Sequence, residues 1–78
     1  MHTTNPDLVA LKTAARQQAS RVEAEAKAAS QWAALSRNRG FDEVASGFDA
    51  LAAALTDAAC HAEAAASASF EAQHTEDD

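Results

Sequence analysis

Two short stretches of the chain carry side chains that could do chemistry. Cys60-His61-Ala62-Glu63 sets a thiol beside an imidazole and a carboxylate, the groups of an activated nucleophile, its base and an orienting acid. Glu71-Ala72-Gln73-His74 spaces a carboxylate and an imidazole at i and i+3, as in carboxylate-bridged metal bundles. Neither set is completed. Adjacent helical residues do not face each other, so Cys60 and His61 make a poor dyad. A metal bundle needs further inward carboxylates. Glu23 and Glu25 are the candidates elsewhere in the chain, and antiparallel pairing sets them well away from His74. Glycine-rich phosphate loops, nucleophile elbows and clustered zinc-ligand spacings are absent. The sequence therefore predicts no catalytic residue, no metal and no cofactor, with Cys60 an ordinary surface or interface cysteine.

The elements that would hold these residues are two helices. Asn5 is a preferred N-cap, Pro6 suits the first helical position, and Asp7 puts a negative charge in the first turn. Leu8, Leu11, Ala15, Ala19, Val22, Ala26, Ala29 and Ala33 then recur with a 3.6-residue period. The spacing predicts a helix over about 6–37. Arg37-Asn38-Arg39-Gly40 breaks it, because Asn and Gly tolerate a left-handed cap and the arginines offset the negative end of the helix dipole. A turn this short makes the second helix, about 41–74, an antiparallel neighbour. Its apolar stripe reads Phe41, Val44, Phe48, Leu51, Leu55, Ala58, Ala62, Ala65 and Ser69, a heptad series with Phe41 at position a. Alanines 45, 52, 59 and 66 then fall on its flank. Gly47 marks the close approach of another helix or is simply tolerated. β-Branched residues are scarce and nothing alternates with period two, which argues against a sheet.

The totals limit what such a hairpin can do alone. Its 78 residues form one domain, with 1–5 and 75–78 expected to be disordered, and 23 of them are alanine, as a GC-rich bacterial or phage gene would encode. Large apolar residues are too few to fill a core, because a methyl contributes far less on burial than a leucine. The hairpin is expected to pair into a four-helix bundle as a homodimer, or to pack on a partner. One cysteine excludes an internal disulfide and suits the cytoplasm. The N-terminus has neither a basic nor an apolar signal region, and no apolar run reaches the ~20 residues of a membrane span.

Charge is divided between the helices. Residues 1–40 hold all six basic residues and three acids, for +3; residues 41–78 hold nine acids and no Lys or Arg, for −9. In the heptad frame Asp42, Asp49 and Glu63 fall at b, and Glu43, Asp57 and Glu71 at c. These acids either solvate an alanine-rich helix or form a docking stripe for a protein with a basic surface. The summed negative field disfavours direct nucleic-acid binding. A second candidate surface is the corner of the turn: Trp32, Leu35, Arg37, Arg39 and Phe41. There the aromatic residues form a small satellite core or an exposed anchor.

Residues 6–74, with two antiparallel helices and the late aromatic Phe70, resemble the WXG100 family of small secreted helical hairpins. The resemblance implies an exported helical hairpin. The Trp-x-Gly turn of that family is replaced here by Arg37-Asn38-Arg39-Gly40, Trp32 lies eight residues before Gly40, and His74 stands where the family has an acid. The residues themselves favour a non-enzymatic interaction module, a small acidic adaptor or phage-type inhibitor. The alternative is a self-associating assembly subunit.

Overall fold

The computed structural model describes residues 5–77, with side chains for 5–74. Two helices account for them, α1 (Pro6–Asn38) and α2 (Asp42–Asp77), and no described residue lies in a strand. The architecture is the expected all-α antiparallel hairpin. Helix α1 ends one residue past 37, and α2 runs three residues past 74. Residues 1–4 and 78, part of the ends expected to be disordered, lie outside the described residues.

Local chemistry sets both ends of α1. The Asn5 side-chain oxygen accepts hydrogen bonds from the N–H groups of Asp7 at 2.9 Å and Leu8 at 3.4 Å. Two of the N–H groups that a helix start leaves without helical partners are thus satisfied. At the other end the Phe41 N–H donates to the Ser36 carbonyl at 2.9 Å, and the Gly40 N–H to the Arg37 carbonyl at 3.1 Å. This crossed pair is the Schellman closure. It needs a left-handed residue, and Gly40 supplies it at φ 83°. Asn38 remains helical, so Arg39, Gly40 and Phe41 alone reverse the chain.

The seam between the helices is built mainly from alanine. Along α1 the seam positions are Leu8, Lys12, Ala15, Ala19, Val22, Ala26, Ala29, Ala33 and Ser36; along α2 they are Ala45, Phe48, Ala52, Leu55, Ala59, Ala62, Ala66, Ser69 and Gln73. Both series alternate steps of four and three, the spacing of a left-handed coiled coil. The fully buried residues are Ala19, Ala26, Ala29, Ala33, Ala45, Ala59 and Ala66, and no large side chain among the described residues joins them. The molecule measures 13 Å across its second principal axis. Removing the ~2.3 Å radius of a Cα cylinder at each side leaves at most about 8 Å between helix axes. That is the close end of helix packing, and methyl groups permit it.

Close approach also rotates α2 from its expected orientation. Phe48, Leu55, Ala62 and Ser69 face α1 as expected. Their seam partners are Ala45, Ala52, Ala59 and Ala66, the residues expected on the flank. Val44 and Leu51 instead stand 52% and 48% exposed. On α1, Lys12 occupies the seam position expected of Leu11, which is 57% exposed. Val44, Leu51 and Leu11 lose these places because bulk at every seam position would hold the backbones apart, and dispersion falls steeply with separation.

Polar contacts seal the open end. The Asn5 N–H donates to Gln73 Oε1 at 3.0 Å. Lys12 Nζ lies 4.8 Å from the Phe70 ring centroid, close enough for a cation–π attraction. Phe70 meets the His74 ring edge-on, with centroids 4.4 Å apart.

Candidate protein-interaction surfaces

Two packed helices present two broad faces and two narrow outer ridges. One broad face follows from the residues that precede each α2 seam residue by one: Val44, Gly47, Leu51, Ala54, Ala58, His61, Ala65, Ala68 and Ala72. All are exposed, and none is Lys, Arg, Asp or Glu. They repeat the alanine-rich heptad of the buried seam, one residue out of step. Antiparallel pairing sets Leu11, Gln18, Glu25 and Trp32 of α1 on the same face, with Ala14, Arg21, Ala28 and Leu35 beside them. The Trp32 ring stacks on Phe48 at 6.5 Å between centroids, yet Trp32 stays 54% exposed. Five of the large exposed apolar residues, Leu11, Trp32, Leu35, Val44 and Leu51, therefore share this face.

The opposite broad face is charged. Asp42, Asp49 and Glu63 flank the seam there, facing the side of α1 that carries Arg16, Glu23, Lys27 and Arg37. Arg37 Nη2 and Asp49 Oδ2 pair at 2.7 Å. Both side chains are about half exposed, so screening holds the pair to ~0.2–1 kcal/mol. Near the open end, Lys12, Arg16, Glu63 and Phe70 line a shallow groove. Glu43, Asp57 and Glu71 run along the outer ridge of α2. The stripe expected away from the seam is thus divided. Half of it borders the seam opposite basic residues, and half forms the ridge.

The expected turn corner divides too. Trp32 and Leu35 belong to the face that carries Val44 and Leu51, Arg37 to the opposite, charged one. Phe41 stands 60% exposed at the turn itself, with Arg39 exposed nearby. One side of the Trp32 ring rests on Phe48 while the rest meets solvent.

The candidate chemistry is not brought together. Cys60 is exposed on the charged face, in a groove with Glu23, Thr56 and Glu63. His61 lies on the opposite face, with Val44 and Leu51. No group of three His, Cys, Asp or Glu among the described residues could hold a metal ion. No helix among them is long and apolar enough to cross a membrane.

The chain matches no protein-family model, no curated protein and no solved structure.

Hydrophobic spacing alone places Val44 and Leu51 inside. The signal that they face outward was present as the one-residue offset between two complete heptads on α2, the second of them free of charge.

Proposed function

We propose that the chain is a non-enzymatic protein-interaction module, a small acidic helical adaptor or inhibitor of a protein with a basic surface, acting in a reducing compartment such as the cytoplasm. One observation carries this reading: the bulk of the side chains lies outside. The hairpin buries alanine and presents Trp32, Leu11, Leu35, Leu51, Val9 and Val44 to the surroundings. Binding energy concentrates in exposed aromatic and large apolar groups of this kind. The depressions on its surface are open grooves along the helices, without the enclosed, water-excluding shape that catalysis uses. The acids of α2 supply the charge complementarity, which acts on encounter rate and partner choice.

The test uses the chain as bait in extracts of its source cells. A specific partner is expected to bind at low salt and to be released at high salt. Reversing Asp42, Asp49 and Glu63 to lysine abolishes capture, and Trp32→Ala weakens it. Undiminished capture by the reversed variant at low salt sinks the electrostatic reading. The exposed apolar face supports a second reading, self-association as a homodimer.

A further inference from the structure

We propose that the broad face carrying Trp32, Val44 and Leu51 is covered by the same face of a second copy, related by a two-fold axis along the hairpin's length. In this arrangement α2 of each copy lies antiparallel on α1 of the other, with both turns at the same end. The proposal rests on the homodimer reading above and is independent of the basic partner.

Size complementarity argues for it. Within one chain, residues at the same height have numbers summing to about 80, as Asn5 with Gln73 and Trp32 with Phe48 show. Rotation about the long axis leaves height unchanged, so the same rule pairs residues across the interface. Trp32 of one copy then meets Gly47 of the other, where a Cβ would have nothing within 4 Å in its own chain. Leu35 meets Val44, and Leu51 meets Ala28. Trp32 on Gly47 and Leu51 on Ala28 set large residues against small ones, as interdigitated packing requires, and Leu35 with Val44 brings two large exposed apolar side chains together beside the turn.

Charge selects the orientation. Asp57 on the α2 ridge comes level with Arg21 of the other copy, and Glu43 level with Arg39. At the open end Asp7 and Glu71 come level with like charge, which makes that end the weaker. The competing arrangement, with turns at opposite ends, lays α2 on α2. It sets Asp57 beside its own mate and Glu43 beside Glu71, so every contact between charged residues of the α2 ridges is repulsive. The area suffices as well. About 50 Å of overlapping helix, with a width of about 18 Å, gives a footprint near 900 Å² per chain. A standard stable interface buries about 800 Å² per partner.

Sedimentation velocity on the full chain at micromolar concentration is expected to show a dimer. Leu51→Glu, which leaves the intrachain seam intact, is expected to give a monomer. Asp57→Arg or Arg21→Asp alone weakens association about tenfold, and the double reversal restores most of it. In one chain these two residues stand on opposite outer edges, so rescue requires the second copy. Spin labels at Asn38→Cys in a Cys60→Ser background are expected roughly 20–30 Å apart, from helix layers 8–10 Å apart plus the label arms. Turns at opposite ends of the 63 Å molecule would separate them by about that length. A folded monomer overturns both the homodimer reading and this proposal. A dimer with distant labels, or with no rescue by the double reversal, overturns this arrangement alone.

Discussion

At the scale of single residues the usual ranking of core positions is inverted. In most cores, removing bulk is the damaging change. Here the buried residues are already methyl-sized, so adding bulk does the harm. Ala45 is fully buried opposite α1. Ala45→Leu must push the helices apart or force strained rotamers, a destabilisation of about 1–3 kcal/mol. Leu11→Ala, at a position 57% exposed, is expected to change the stability of the lone hairpin by less than about 0.5 kcal/mol. Urea denaturation followed by helicity, at concentrations where the chain is monomeric, compares the two. A larger loss for Leu11→Ala than for Ala45→Leu would mean that the alanine seam is not the core. Asn5 and Gly40 were legible in the sequence, because capping is local: an acceptor for two N–H groups at one end, a left-handed residue at the other. Lys12 was not legible as a seam residue. Its charge argues for solvent, but its stem lies along the seam while its ammonium reaches the face of Phe70.

At the scale of elements, periodicity reveals the two helices and their antiparallel pairing and places Phe48, Leu55, Ala62 and Ser69 correctly, but it takes Val44, Leu51, Ala58 and Ala65 as their partners in place of Ala45, Ala52, Ala59 and Ala66. Hydrophobicity ranks Val44 and Leu51 above Ala45 and Ala52, so the reading turned the leucine side inward. The helix carries two heptads offset by one residue, and either could have been the buried one. Interhelix distance decides between them, and distance is a property of the pair that neither helix's composition reports. The acids followed the same rotation, which is why Asp49 reaches Arg37 across the seam rather than pointing away from it. Gly47 sits on the second heptad and provides a test of it. With nothing near its missing Cβ, helix propensity alone predicts that Gly47→Ala stabilises the lone hairpin by about 0.5–1 kcal/mol. Against Trp32 of a second copy the added methyl occupies space the indole needs. The expected outcome is a higher melting temperature for the dilute monomer together with a severalfold weaker dimer. An equal gain at all concentrations would show that Gly47 is a tolerated glycine with no neighbour.

At the scale of the whole molecule, association must work against charge. The chain carries −6 overall, so two copies repel at long range, more strongly at low salt. One residue concentrates that conflict. Glu25 is the one acid among Leu11, Gln18, Glu25 and Trp32 on this face of α1, and it is exposed on the flank nearest α2. A two-fold axis along the hairpin brings it towards its own mate near mid-height. Arg21, four residues earlier on the same face, is spaced to offset the charge, yet Arg21 is also the residue level with Asp57 of the other copy. It cannot serve both fully. Glu25→Gln removes the repulsion, keeps the side-chain volume, and leaves an amide able to donate to its mate. The dimer is expected to tighten about fivefold, in line with the worth of partly exposed charge pairs. The gain should shrink as salt screens the wild-type repulsion. Sedimentation equilibrium at two salt concentrations measures both effects. If Glu25→Gln weakened the dimer instead, Glu25 would be holding a cation of the other copy rather than opposing its mate, and the axis would have to lie elsewhere on the face.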